Sequence, residues 1–322
     1  MAKIFLTRRI PEEGIKMLKE YELEIYEGDS PPSKEEIIEG VKGKDALICL
    51  LTDKIDAEVM DSSERLRIIA NYAVGVDNID IEEATKRGIF VTNTPGVLTE
   101  TVADLTWVLM MGVARRIVEG DKFVREGKFK GWAPLLMLGG DFHKKTLGII
   151  GAGRIGRAVA RRAKGFEMEV LYYSRKRNEE IEKECNAKFV DFQTLLKKSD
   201  FVSLHVPLTE ETYHMIGERE LKMMKKDAYL INTARGKCID EKALIKALNE
   251  GWIKGAGLDV FENEPHVPEE LKKMDNVVLL PHIGSASYET RSKMAVITAE
   301  NVIYALNGKI PPNCLNPEAK RM

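Results

Sequence analysis

Thr146-Leu147-Gly148-Ile149-Ile150 runs without a break into Gly151-Ala152-Gly153-Arg154-Ile155-Gly156. An apolar strand that turns sharply into a helix needs glycine at three places, each for its own reason. Gly151 takes the tight turn, Gly153 has no Cβ to hold a pyrophosphate away, and Gly156 lets the helix pack closely on the strand. The helix that opens at Arg154 and runs to Lys164 offers unpaired N–H groups and a partial positive charge at its start. With a strand before it and a helix after it, the segment is read as a dinucleotide site formed by Gly151, Ala152, Gly153, Arg154, Ile155 and Gly156.

The next strand, Glu169–Tyr173, ends where an acid about 20 residues past the glycines would bond a ribose 2′-hydroxyl. The chain instead carries Ser174-Arg175-Lys176-Arg177. A hydroxyl followed by cations suits a 2′-phosphate, so Ser174, Arg175 and Lys176 point to NADP(H) in preference to NAD(H).

Outward from this motif, apolar runs alternate with amphipathic helical stretches, the pattern of an α/β chain with parallel sheets. Two sets of strands are expected. The first comprises Lys3–Thr7, Leu23–Tyr26, Asp45–Leu50, Leu66–Tyr72 and Ile89–Thr92. The second comprises Thr146–Gly151, Glu169–Tyr173, Lys188–Val190, Phe201–Val206, Ala228–Asn232, Gly255–Val260 and Val277–Leu280, a sheet of six or seven strands. Between them, helical spacing of Val102, Leu105, Thr106, Leu109, Gly112 and Val113 predicts one long helix over Thr99–Arg125. A second long helix, Tyr288–Leu306, follows the small-residue hinge Gly284-Ser285-Ala286-Ser287 and is expected to return to the first domain.

The 322 residues are 44% hydrophobic, with 49 basic and 51 acidic side chains and a net charge of −2. That length suggests two domains, and the charge balance gives no general field to hold nucleic acid or an anionic membrane. No apolar run approaches a membrane span, and the N-terminus meets Arg8 and Arg9 too soon for a signal peptide. Cys49, Cys185, Cys238 and Cys314 are scattered without metal-ligand spacing, which reads as reduced thiols in the cytoplasm and no metal site. His143, His214 and His266 read as surface or turn residues.

Ligands of open parallel sheets bind beyond the carboxyl ends of the strands. Three such ends carry charge or imidazole: Asn232-Thr233-Ala234-Arg235-Gly236, Gly257-Leu258-Asp259-Val260-Phe261 leading to Glu264-Pro265, and Leu280-Pro281-His282-Ile283-Gly284. Facing a nicotinamide, they suit hydride exchange with a 2-keto or 2-hydroxy acid. Arg235 holds the carboxylate and polarises the carbonyl. His282 passes the proton, and Glu264, bonded to the other ring nitrogen, orients the imidazole and favours its protonated form at neutral pH.

These motifs resemble the D-isomer-specific 2-hydroxyacid dehydrogenase family over nearly the whole chain. Within it, Asn71-Tyr72-Ala73-Val74-Gly75-Val76-Asp77-Asn78 and Asn93-Thr94-Pro95-Gly96-Val97-Leu98-Thr99 look most like glyoxylate and hydroxypyruvate reductases. The resemblance implies two Rossmann-like or flavodoxin-like parallel-sheet domains with a cleft between them. Residues 1–97 plus 289–322 form a discontinuous substrate domain, and 98–288 the dinucleotide-binding domain. It implies Arg235, Glu264 and His282 as the catalytic set, with the Val74 and Gly75 amides, Arg235 and His282 on the substrate. Coenzyme contacts are implied for Thr101 on the long helix and for His205, Val206, Pro207 and Thr212 beside the adenosine. Thr233, Ala234, Arg235, Asp259, His282, Ile283 and Gly284 add further contacts. A homodimer follows, served by Trp107, Val108, Met110 and Met111, with Trp132-Ala133-Pro134-Leu135-Leu136 packing at the partner's site entrance. Phosphoglycerate dehydrogenase shares the catalytic motifs, but many of those enzymes carry a further regulatory domain. A non-catalytic dinucleotide sensor on the same fold is the alternative from another class.

Overall fold

The computed structural model describes residues 1–319, which form two compact units, 1–98 with 285–319, and Thr99–Gly284.

The first unit is a five-stranded parallel sheet. Its strands are β1 (Lys3–Leu6), β2 (Glu22–Ile25), β3 (Ala46–Cys49), β4 (Ile68–Asn71) and β5 (Phe90–Thr92), in the order β2-β1-β3-β4-β5. Alternation along the strands feeds two cores. Ile4, Leu6, Ile48 and Ile68 face Met294, Ala299 and Val302 of helix Tyr288–Leu306. Phe5, Leu47, Ile69 and Val91 face Ile37, Val59 and Met60. The chain end is tied back to β5, since Leu315 N–H donates to the Val91 carbonyl at 2.8 Å and Val91 N–H to Asn316 Oδ1 at 2.7 Å.

The second unit holds seven parallel strands: β6 (Thr146–Ile150), β7 (Glu169–Tyr173), β8 (Lys188–Phe189), β9 (Phe201–Leu204), β10 (Tyr229–Asn232), β11 (Gly255–Leu258) and β12 (Val277–Leu279). Their order is β12-β11-β10-β9-β6-β7-β8. Connections run one way from β6 through β7 to β8 and the other way from β9 to β12. The β6/β9 boundary is therefore the switch point where a crevice opens at the carboxyl ends.

The single helix expected over Thr99–Arg125 is two helices, Thr99–Ala114 and Ile117–Arg125. The Gly140 N–H donates to the Ala114 carbonyl at 2.8 Å, taking an acceptor that a continuing helix uses itself. Arg116 adopts φ 54° and turns its guanidinium onto Glu119 at 2.8 and 2.7 Å. The proposed dimer stripe also needs correction. Trp107 and Met110 are buried, with the Trp107 indole N–H bonded to the Val159 carbonyl at 3.0 Å, and only Val108 of the four is well exposed. The helix buries more than one stripe: Leu109 packs beside Gly257 and Gly112 beside Val278, while Trp107 on another face reaches Val159.

Candidate active site

The glycine turn meets the demands read from the sequence. Gly151 has φ +100°, and a Cβ there would stand 2.6 Å from the His205 carbonyl oxygen. At Gly156 a Cβ would stand 2.1 Å from the Gly151 oxygen, so helix Arg154–Arg162 packs directly on the turn. At Gly153, the N-cap, nothing lies within 4 Å of the Cβ position and no side chain caps the helix. Open space in front of uncapped N–H groups is what a pyrophosphate requires. Ala152 lends its carbonyl to Asn178 Nδ2 at 2.7 Å, which fixes the turn to the segment after β7.

Beyond β7, Arg175 and Lys176 are exposed. Arg177, part of the same basic run, is withdrawn into a two-point pair with Glu182, 2.8 Å at each contact. The Ser174 hydroxyl donates to the Lys176 carbonyl and closes the turn. On the adjoining loop, burial pushes the His205 imidazole down to about 3, so the ring is neutral, with Nε2 2.9 Å from Ser203 Oγ. The Thr212 hydroxyl donates to the Pro207 carbonyl at 2.6 Å and accepts from Thr209 N–H at 2.8 Å, bracing the loop that carries Val206.

β10, β11 and β12 are neighbours, so the segments that leave their carboxyl ends share one rim. Glu264 Oε2 lies 2.8 Å from His282 Nδ1, and its Oε1 accepts the Phe261 N–H at 3.0 Å. Burial raises the Glu264 carboxyl, but the His282 hydrogen bond and charge, the Phe261 N–H and the Arg235 charge outweigh it and leave it below its ordinary value. The side chains of His282 and Glu264 keep 26% and 27% of their exposure, so the pair is shielded yet reachable. Arg235 is extended, and its Nη1 donates to the Ala234 carbonyl at 2.8 Å. Gly236 is obligatory beside it, because a Cβ there would overlap the Phe261 carbonyl at 1.9 Å. The backbone bearing Arg235 therefore lies directly on the backbone leading to Glu264.

His282 itself stands at φ 53°, a left-handed conformation costly for a side-chain-bearing residue. Asp259 holds it there. The His282 N–H donates to the Asp259 carbonyl at 2.9 Å, and the Ile283 and Gly284 N–H groups each donate to one Asp259 carboxylate oxygen at 2.7 Å. Burial pushes the Asp259 carboxyl above its ordinary value against the pull of these amides and of His282. The carboxylate, expected to face the coenzyme, thus has the task of shaping the histidine turn. Thr233 bonds Thr106 through their hydroxyls at 3.0 Å, and Val102, next to Thr101, packs beside Gly284, which brings the first turn of helix Thr99–Ala114 to the same rim.

His214, read from sequence as a surface or turn residue, has a definite partner. It adopts φ 48° in a turn and pairs through Nε2 with Glu262 at 3.0 Å. Glu262 and Glu241 exchange backbone-to-carboxylate bonds at 3.2 and 3.3 Å. A histidine whose partner lies 48 residues away leaves no local signal. Val74 and Gly75 belong to the five-stranded unit, on the loop after β4. Among the described residues no group of three or more His, Cys, Asp or Glu is placed to hold a metal ion, and no helix is long and apolar enough to cross a membrane.

Residues 107–284 match the family model described as D-isomer specific 2-hydroxyacid dehydrogenase, NAD binding domain. Glyoxylate reductases of Korarchaeum cryptofilum and Thermococcus litoralis are each 60% identical to this chain, covering 99% and 98% of it and 97% of their own length. The solved structure of an NADPH-dependent glyoxylate/hydroxypyruvate reductase from Sinorhizobium meliloti, with NADP and malonate, is similar at a TM-score of 0.87. It is 32% identical and covers 100% of this chain and 98% of that one. The chain belongs to the D-isomer-specific 2-hydroxyacid dehydrogenases, enzymes that use a nicotinamide dinucleotide.

Proposed function

We propose that this protein reduces a small 2-keto acid, glyoxylate or hydroxypyruvate, to the D-2-hydroxy acid, with NADPH preferred over NADH. The observation that carries the reading is the His282–Glu264 contact of 2.8 Å with the Arg235 charge close enough to stabilise the carboxylate. When bound, the reduced nicotinamide supplies a hydride. Arg235 grips the substrate carboxylate and draws electron density from the carbonyl. His282, with Nδ1 held by Glu264, presents Nε2 and gives the carbonyl oxygen its proton. Gly151, Ala152, Gly153, Arg154, Ile155 and Gly156 hold the pyrophosphate, and Thr101, Thr233, Ala234, Ile283 and Gly284 line the nicotinamide end. His205, Val206, Pro207 and Thr212 flank the adenosine, the neutral His205 ring serving as a wall. The Val74 and Gly75 amides receive the carboxylate from the substrate domain.

The NADPH preference is supported by the Ser174-Arg175-Lys176 turn, which exposes Arg175 and Lys176 and lacks the carboxylate that selects a 2′-hydroxyl. Homodimerisation is supported by a run of exposed apolar side chains, Ile117, Val118, Val124, Trp132, Leu135 and Leu138, in the segment that starts at the second helix of the broken pair. The four free cysteines fit a cytoplasmic enzyme.

Mixing the protein with NADPH and glyoxylate or hydroxypyruvate is expected to deplete absorbance at 340 nm. Coenzyme binding without turnover on any small 2-keto acid would favour the sensor reading and overturn this one.

A further inference from the structure

The loop after β4 carries three consecutive peptides, each with its carbonyl captured. The Ala73 carbonyl accepts the Thr94 N–H at 2.9 Å, the Val74 carbonyl accepts Asn93 Nδ2 at 2.8 Å, and the Gly75 carbonyl accepts Asn71 Nδ2 at 2.8 Å. All three peptides are trans. In a trans peptide the N–H points opposite to the C=O. Pinning these carbonyls therefore directs the N–H groups of Val74, Gly75 and Val76 away from Thr94, Asn93 and Asn71 respectively. None of those three N–H groups has a hydrogen-bond partner among the described residues, and all three residues are partly exposed.

The two asparagines are not loop residues that happen to touch the backbone. Asn71 is 1% exposed, and its amide is fixed at both ends. Its Oδ1 accepts the Cys49 thiol at 3.6 Å, while Nδ2 also reaches Asn78 Oδ1 at 3.2 Å. Asn93 is 9% exposed, and its own carbonyl accepts Asn301 Nδ2 from helix Tyr288–Leu306 at 3.4 Å. A neutral donor is the only kind that satisfies a backbone carbonyl here without burying a charge.

We infer that Asn71 and Asn93 are positioning residues that anchor the Val74 and Gly75 carbonyls and so present the Val74, Gly75 and Val76 amides as a three-donor cradle for a carboxylate. Successive unpaired amides form an anion-binding concavity, and a carboxylate has lone pairs for three donors on two oxygens. The inference rests on the reading that Val74 and Gly75 receive the carboxylate of a small 2-keto acid. It adds a third donor, Val76, and the two side chains that set the cradle.

The test compares wild type with Asn93→Ala and Asn71→Ala, made separately so that one unstable variant leaves the other informative. Steady-state kinetics are run with glyoxylate and with glycolaldehyde, a small aldehyde without a carboxylate. Oxalate inhibition and NADPH affinity by fluorescence are measured beside them. In each variant KM for glyoxylate and Ki for oxalate are expected to rise about tenfold, with kcat within about threefold of wild type. NADPH affinity and kcat/KM for glycolaldehyde stay unchanged. Equal losses on both aldehydes would show a merely structural role, and unchanged KM and Ki would show that the asparagines do not set the cradle. If wild type reduces neither keto acid, the parent reading fails. Oxalate binding by calorimetry to wild type and variants then decides the cradle alone, which stands if the asparagine variants weaken binding and falls otherwise.

Discussion

The five-stranded and seven-stranded sheets are both wholly parallel, each with a helix-covered core on both faces, yet they offer ligands opposite kinds of group. In the seven-stranded unit the reactive rim is made of ionisable side chains, with Arg235, Glu264 and His282 on segments leaving three adjacent strands and Asp259 shaping the histidine turn. In the five-stranded unit the loop after β4 offers backbone N–H groups, and Asn71 at the end of β4 and Asn93 just past β5 face inward to hold that backbone. On the proposed reading, side chains that exchange protons and hold charge govern turnover, and uncharged amides that only receive an anion govern binding. Substitutions should divide along that line.

The largest expected effect is His282→Ala. Removing the proton donor should lower kcat by about 10³-fold or more, with NADPH affinity by fluorescence titration preserved. Near-normal turnover would remove the imidazole from the chemistry and erase the distinction between the two units. Next comes Arg235→Lys, expected to cost about 10²-fold in kcat/KM, since a point charge cannot reproduce the planar two-point grip. A loss confined to KM would place Arg235 with the binding groups of the other unit.

Glu264→Gln sharpens the comparison through pH. The Glu264 carboxyl is held below its ordinary value, so the carboxylate that bonds His282 Nδ1 is present above the usual carboxylate range and is lost as pH falls through that lowered value. In wild type kcat/KM for reduction should therefore fall along an acid limb, and Glu264→Gln, which has no group to titrate there, should lose that limb while kcat/KM at neutral pH drops about tenfold or more. An acid limb that persists unchanged in the variant would mean that the Glu264 charge does not act on the histidine.

The same division explains what could be read in advance. The strands, the parallel pairing and the rim of Arg235, Glu264 and His282 were legible because β-period apolar runs and charged residues just past strand ends are local signals. The break between Ala114 and Ile117 was not, because its cause is the Gly140 N–H, which lies 26 residues on from the carbonyl it takes. The resemblance, not the local pattern, assigns Trp107 and Met110 to a dimer surface, and this helix buries both. Asn71 and Asn93 stand within motifs whose local pattern carries no expectation for either side chain. Asparagine in a loop usually signals a turn, and only the capture of Val74 and Gly75 distinguishes these two. The Asp259 carboxylate was likewise visible as a polar residue at a strand end, while its task of holding Ile283 and Gly284 depends on contacts 24 and 25 residues away.

The smallest effect on turnover should come from Asn78→Ala, which probes the inward-facing side of the asparagine set. Asn78 Nδ2 donates to the Leu50 and Asp53 carbonyls at 3.0 Å each, and its Oδ1 accepts from Asn71. The Leu50 carbonyl keeps the Asp53 N–H at 3.1 Å, whereas the Asp53 carbonyl loses its donor. One unsatisfied buried carbonyl costs about 1–3 kcal/mol, which should appear as a lower midpoint in denaturant unfolding. The two bonds that pin Val74 and Gly75 come from Asn93 and Asn71, and neither is removed. Turnover and keto-acid KM should therefore stay near wild type while stability falls. A large rise in KM with unaltered stability would mean that Asn78 also sets the amides, and that the five-stranded unit relies on a longer chain of side chains to present its backbone than two asparagines alone.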